Sequence, residues 1–323
     1  MGEKVEITRK PGRIEPIIHP TVALRLASLD WYPGFNYTHI YVRLLARSLS
    51  CRIQDSTPED ADLVLVGPYG RRKEEFQKRR GQIVIYGSGE NTRPDYRFCD
   101  LSLTLDHCTY GGLNVRIPAW AGEFDFWGDA PLATYKRAET EQLLSTNHPL
   151  SVMKITGGQN KIAAIFSTYE QNRISILQAL EEHIGTVTKI GKLWGEAEIC
   201  RDASALFPAK HPVLVKHLMN LCFENSIAPG YITEKILHAR MAGCVALTYA
   251  HPTCNNDYDS KGLLNYHDYL SIDAYVNQVK EILCSEDCLK TMREAPVFES
   301  KPNPEDLVTQ TRQALMQFLR SWV

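Results

Sequence analysis

Short apolar runs rich in β-branched residues, each separated from the next by a stretch of helical period, constrain this chain more than any other feature. Val22-Ala23-Leu24-Arg25-Leu26, Ala61-Asp62-Leu63-Val64-Leu65-Val66 and Gln82-Ile83-Val84-Ile85-Tyr86 read as buried strands, and Leu101-Ser102-Leu103-Thr104-Leu105 as a weaker fourth. Between the first two, from Asn36 to Leu49, Ile40, Val42, Leu44, Leu45 and Leu49 recur near helical spacing, and Glu74 to Arg80 offers a second, polar helix. Strand, helix, strand, helix is the pattern of an α/β domain with a parallel sheet.

The pattern stops and starts again. His148 to Asn160 holds Pro149 and the Gly157-Gly158 pair without periodicity and reads as a linker. Strands follow at Lys161 to Ser167, Leu218 to Phe223 and Cys244 to Thr248. Helices are expected at Asn172 to His183, Thr233 to Met241, Ile272 to Leu283 and Glu286 to Arg293. A length of 323 residues suits two domains of about 150 residues, and the expected boundaries are 1–150 and 151–323. A last helix opens with Asn303 as N-cap, Pro304 at its first position and Glu305 and Asp306 in its first turn. Its stripe of Val308, Thr311, Leu315, Phe318, Leu319 and Trp322 is expected to pack on its own domain or back on the first, since only Arg312 and Arg320 give its polar face positive charge.

Composition excludes several function classes. A net charge of −2 with both signs interspersed provides no broad basic face for nucleic acid. No apolar run reaches 18 residues, and the charged N-terminal ten residues lack the apolar stretch of a signal peptide, so the expected location is the cytoplasm or a peripheral place at the inner membrane. The nine cysteines are scattered without zinc-ligand spacing and read as reduced, mostly buried thiols. Asp257-Tyr258-Asp259 has the spacing to chelate a cation but no third ligand nearby, and reads as a solvated loop.

The most informative segment follows the strand ending at Phe223. Glu224, Asn225 and Ser226 stand at a strand's carboxyl end; after Pro229-Gly230 come Tyr231, then Thr233 as N-cap, then Glu234 and Lys235 in the first helical turn. A helix N-terminus with a lysine beside it suits a diphosphate. Glu234 has two readings on spacing alone, as a compensator of the helix dipole or as a binder of hydroxyls.

Phe223-Glu224-Asn225-Ser226 with Tyr231-Ile232-Thr233-Glu234-Lys235, Ala239 and Gly243 resembles the signature of the α-1,3/4-fucosyltransferases, glycosyltransferase family 10. The resemblance extends to Ala61-Asp62-Leu63-Val64, Gly67-Pro68, Gly89-Glu90-Asn91, Pro94-Asp95, Asp100 to Asp106 and Arg116-Ile117-Pro118, in the order and approximate spacing of bacterial members, and covers about residues 20 to 295. It implies a GT-B fold: two facing Rossmann-like domains with a cleft between them, the acceptor bound by the first and GDP-fucose by the second. It further implies inverting, metal-independent transfer of L-fucose from GDP-β-L-fucose to a hydroxyl of an oligosaccharide or glycoconjugate, the 3-hydroxyl of N-acetylglucosamine or glucose being the expected position. No cofactor is expected. Carried over residue by residue, Glu90 is the catalytic base, Arg173 and Lys235 hold the diphosphate, Asn225 and Tyr231 contact ribose or phosphates, and Glu234 binds hydroxyls of fucose or ribose.

Each of these residues also has a plainer reading as a solvated loop carboxylate, a surface ion pair or a packing aromatic. Trp31, Tyr32, Tyr110, Trp120 and Trp127 are candidates for stacking on acceptor sugars, with at most two expected to do so. The strand after Gly243 departs from the family's run, reading Val245-Ala246-Leu247-Thr248-Tyr249-Ala250-His251-Pro252, and Ala228-Pro229 is a stiffer turn than usual. Two alternatives remain: a same-fold transferase using another nucleotide sugar, and a two-domain binding protein without chemistry.

Overall fold

A computed structural model describes residues 23–150, 160–195 and 206–320. Most of the expected 148–160 linker, and Val22 and Trp322, lie outside the described residues. Two parallel sheets form, each flanked by helices. In the first, β1 (Ala23–Leu29), β2 (Arg52–Asp55), β3 (Leu63–Val66), β4 (Ile83–Ser88), β5 (Leu101–Thr104) and β6 (Asn114–Arg116) lie in the order β2-β1-β3-β4-β5-β6. The second holds β7 (Asn160–Ile165), β8 (Thr188–Ile190), β9 (His217–Leu221), β10 (Val245–Thr248) and β11 (Leu263–Asn265), in the order β11-β10-β9-β7-β8. This is the α/β class the periodicities imply, with two facing units.

The apolar runs locate the seven inner strands. The four others, β2, β6, β8 and β11, are the outer strands of the two sheets and only three or four residues long. An edge strand is buried on one side at most, so it needs no continuous apolar run.

In the first unit, α1 (Ile40–Leu49) buries Ile40, Tyr41, Val42, Leu44 and Leu45 against the sheet. His39 caps it, Nδ1 accepting from the Tyr41 amide at 3.3 Å, and Ser50 ends it at φ 50°. The polar helix expected from Glu74 to Arg80 is reduced to one turn, α2 (Arg72–Glu75). Phe76 leaves helical geometry to pack against the apolar cluster that includes Val64 and Val84, and Arg79 turns back to the carbonyls of Glu59, Asp60 and Ala61. Short α3 (Trp120–Glu123) and α4 (Arg137–Thr146) complete the unit.

In the second unit, α5 (Gln171–His183) and α8 (Ile272–Cys284) bury Ile176, Leu177, Leu180, Tyr275, Val276 and Val279 together. The other face carries α6 (Leu206–Leu214) and α7 (Glu234–Met241), while α9 (Glu286–Glu294) follows α8 and adds Leu289 to the α5–α8 core. The last helix, α10 (Pro304–Arg320), returns to the first unit, where it packs on α1, β5 and β6 through Leu307, Val308, Thr311 and Leu315. Asn303 caps it by accepting from the Glu305 amide at 3.2 Å. Ser48 Oγ donates to Val308 O at 3.0 Å, and Arg312 Nε donates to Ser48 O at 2.8 Å.

The units share one continuous core. Phe298 sits between Trp120 and Phe124 of the first unit and Tyr258 of the second, with ring centroids 5.6, 6.2 and 5.7 Å away. Beside it, Asn147 Nδ2 donates to Phe298 O at 2.9 Å and Asn147 Oδ1 accepts from the Phe298 amide at 3.1 Å. All eight described cysteines are free thiols, five buried and three exposed.

Candidate active site

The loop from β9 to α7 is organised around a buried carboxylate. Glu224 accepts from the Thr233 amide at 2.8 Å, from Thr233 Oγ1 at 2.8 Å and from Lys235 Nζ at 3.0 Å. Thr233 does occupy the N-cap position, but its hydroxyl caps no helix amide: it donates to Glu224 and accepts from Lys235 Nζ at 2.8 Å. A charged acceptor holds a hydroxyl more strongly than a neutral amide partner does. The first turn of α7 therefore presents Glu234 and Lys235 with the Lys235 ammonium fixed on one side only.

Burial pulls Lys235 down, but Glu224 and Glu234 outweigh it and hold the ammonium above its ordinary range. Burial pushes the Glu234 carboxyl up, yet Lys235 and Lys210 overcome this and leave it well below the usual carboxylate range. Lys210 Nζ lies 3.5 Å from Glu234 Oε1. Both groups are charged at neutral pH.

Arg173, at the start of α5, reaches beneath this loop. Its side chain donates to Thr168 Oγ1 at 3.2 Å and Phe223 O at 2.7 Å, makes a short bond to Asn225 Oδ1, and stacks its guanidinium over Phe166 at 4.9 Å. At 2% exposure it is a strut of the loop, and Asn225, which is exposed, is the part of that pair that faces outward. Tyr231 is also buried: its ring packs with Ala228 and with Leu105 and Ala119 of the first unit, and burial pushes its phenol up to about 12. The adjacent Gly230 has φ +80°, and a Cβ there would run into Leu105 O. The loop thus closes against the first unit at Gly230 and Tyr231.

Facing it, β4 ends at Ser88 and delivers Glu90 to the rim of a cavity of about 570 Å³ in the first unit. Trp31, Tyr32, His39, Tyr41 and Tyr69 line the cavity, as does a second carboxylate, Glu123. The Glu90 amide is anchored on Ser88 Oγ at 3.1 Å, and its Oε1 accepts from Tyr69 Oη at 2.8 Å. Trp31 stacks on Phe35 at 4.1 Å and donates from Nε1 to Leu65 O at 2.9 Å, which fixes the wall. Of the aromatics proposed for sugar stacking, Trp31 and Tyr32 face this cavity. Trp120 is core, Trp127 stacks under Arg43 and Arg47 at 4.9 and 4.4 Å, and Tyr110 donates to Asp106 at 2.6 Å.

The two loops meet. Asn91, next to Glu90, donates from Nδ2 to Ser226 Oγ at 2.9 Å, next to Asn225. Two further residue pairs cross the seam: His238 of α7 pairs with Glu123 at 3.2 Å, and Arg116 grips Asp257 through contacts of 2.9 and 2.5 Å. Asp257-Tyr258-Asp259 is therefore no solvated loop. Asp257 is buried in a bidentate pair, Tyr258 is core, and Asp259 accepts from the Lys261 amide at 2.8 Å. The buried role of Glu224, the contact of Tyr69 with Glu90 and the pairing of Arg116 with Asp257 escape sequence reasoning. A buried loop carboxylate and a solvated one look alike until the fold supplies partners.

The arrangement offers a carboxylate at the mouth of an aromatic-lined cavity and, across a closed seam, an ammonium at a helix N-terminus. The first can take a proton from a hydroxyl and the second can hold an anion.

Residues 27–122 match the model of the α-(1,3)-fucosyltransferase FucT N-terminal domain. The α-(1,3)-fucosyltransferase FucT of Helicobacter pylori is 20% identical over 275 residues, which are 80% of this chain and 56% of that protein, so the chain matches little more than half the length of this relative. A crystal structure of α1,3-fucosyltransferase superposes with a TM-score of 0.69 at 17% identity, covering 96% of this chain and 93% of the other. An α1,3-fucosyltransferase solved with GDP-fucose gives 0.66 at 16% identity, covering 96% and 94%. By the sequence of its first unit and by the two-domain GT-B fold of nearly its whole length, this chain is similar to the α-(1,3)-fucosyltransferases.

Proposed function

We propose that the protein transfers L-fucose from GDP-β-L-fucose to a hydroxyl of an oligosaccharide acceptor, with inversion at the anomeric carbon. The observation that carries this reading is the junction of two loops: Glu90 on the rim of the aromatic cavity, one residue from the bond that joins its loop to the loop ahead of Glu234 and Lys235. The acceptor hydroxyl attacks the anomeric carbon while its proton passes to Glu90, and the bond from that carbon to the phosphate oxygen breaks, releasing GDP. A base in this role is worth about 10²–10⁴-fold. Lys235 meets the charge that develops on the diphosphate, and the N-terminal turn of α7 adds its partial positive charge. Arg173 acts from below, holding Asn225 and the Phe223 carbonyl in place. Glu234, charged and beside Lys235, is oriented for hydroxyls of the donor; Tyr231 forms the wall between the two units. The catalysis assigned here calls for no cofactor. The α1,3-fucosyltransferase of similar fold that was solved with GDP-fucose supports the choice of donor.

The test is transfer to a panel of oligosaccharides, followed by mass spectrometry, with GDP-fucose against other nucleotide sugars. Glu90→Gln is expected to abolish turnover while leaving GDP affinity within about twofold. Transfer from a different donor with none from GDP-fucose would overturn the fucosyl reading, and full activity of Glu90→Gln would overturn the base.

A further inference from the structure

We infer that Tyr69 is a positioning residue for the transfer reaction, its hydroxyl fixing which oxygen of Glu90 is free to take the acceptor's proton. This rests on the reading of Glu90 as the base.

The carboxylate has two oxygens, and Oε1 accepts from Tyr69 Oη at 2.8 Å. The remaining oxygen, Oε2, keeps its lone pairs for a substrate hydroxyl. Tyr69 reaches Glu90 on a turn built to hold it. Asp30, with φ +59° and a side chain 2% exposed, accepts from the Arg72 amide at 3.1 Å and the Lys73 amide at 2.9 Å. Its own carbonyl accepts from the Tyr69 amide at 3.0 Å. Lys73 Nζ donates to Gly70 O at 2.7 Å and Gly67 O at 3.3 Å, closing the turn from the other side. Gly70 packs so close to Asp30 that a Cβ there would meet its carboxylate. The ring itself leans edge-on against Tyr32, centroids 6.0 Å apart, and Tyr32 in turn contacts Trp31 and Phe35.

So many bonds on a short turn are out of proportion to a surface tyrosine that is 54% exposed. What the turn accomplishes is delivery of one hydroxyl to one carboxylate oxygen, at the mouth of the cavity. A bond to an ionised carboxylate is about twice as strong as one between neutral groups. It also removes the rotation that would let both oxygens compete for the proton, and a base held in line with its substrate hydroxyl gains through orientation.

The experiment compares wild type, Tyr69→Phe, Glu90→Gln and the double variant, using GDP-fucose and an active acceptor. Because Tyr69 is half in solvent, loss of its hydroxyl leaves the fold intact, checked by thermal melting. Tyr69→Phe is expected to lower kcat by about ten- to a hundredfold, the effect of one hydrogen bond to a charged group. It should leave the acceptor's KM and the GDP affinity unchanged. In the Glu90→Gln background the same change should have no further effect on residual rate. A Tyr69→Phe enzyme with unchanged kcat overturns the inference, and so does one in which only the acceptor's KM rises, since that makes Tyr69 a binding contact. If Glu90→Gln alone retains full turnover, the base assignment fails first and takes this one with it.

Discussion

Both oxygens of Glu224 are taken up within its own loop, so the carboxylate contributes the placement of Lys235 and no ligand contact. Glu224→Ala leaves a lysine and a backbone amide without their partner, and removing one member of a buried pair costs about 3–5 kcal/mol. Since Lys235 retains 22% side-chain exposure, the lower end is expected, together with loss of stabilisation by GDP; thermal melts with and without the nucleotide check both. The linkage has a definite sign. Lys235, raised above its ordinary value, adds stability that is full below about pH 10 and fades as pH climbs through the folded value. Glu234, depressed, adds stability present above about pH 4 and lost only as pH falls below it. The sequence placed Glu224, Asn225, Glu234 and Lys235 at a strand end and helix start. It could not separate residues facing outward from those facing their own loop, because Glu224 and Tyr231 are as polar as their neighbours and differ only in what the fold sets beside them.

His39 couples acid to the integrity of α1. Burial, with help from the Arg43 charge, lowers its imidazole from 6.5 to about 4, and the lone pair on Nδ1 is the helix cap. Protonation adds a hydrogen at that nitrogen and removes the cap. A histidine with depressed pKa binds fewer protons folded than unfolded, so stability is full above about pH 6.5 and falls as pH drops toward 4. The lost amount is on the order of 3 kcal/mol. His39→Asn keeps a good N-cap without the titration, and denaturant midpoints measured from pH 4 to 7 should be flatter than those of the parent. At this scale the inner strands and most of the long helices were legible, since burial on both faces or along one stripe demands the periodicity that reveals them; α4 and α6 were not foreseen. The outer strands were not, because Arg52-Ile53-Gln54-Asp55 and Thr188-Lys189-Ile190 owe their strand geometry to a neighbour's backbone. Nor was the shortening of α2 visible, as it depends on the place Phe76 finds against the apolar cluster of the first sheet.

The two units depend on each other through chain that crosses between them. The first unit's α1 is covered by α10, which follows the whole second unit in sequence. Leu315→Ala, at a site 1% exposed, is expected to cost about 2–5 kcal/mol. Its effect should appear as earlier protease cleavage in the first unit, around α1, with the second unit holding its resistance longer; limited proteolysis read by mass spectrometry checks this. A sequence with strands in two groups says that two sheets form, and the amphipathic stripe of α10 says that it packs somewhere. Which unit receives it is decided by Ser48, Arg312 and the face that α1, β5 and β6 leave open.

The pairing of Asn147 with Phe298 has a mechanical consequence. The polypeptide leaves the first unit just after one of these residues and returns just after the other, and the two are bonded side by side. Both crossings therefore pass through a single point beside the shared core, and sliding or twisting of the units would tear the Asn147 bonds together with the Asn91–Ser226, His238–Glu123 and Arg116–Asp257 contacts. A pull applied between residues 23 and 320, both ends belonging to the first unit, would then load that unit first, and the second would enter the line of force once the Asn147 bonds part.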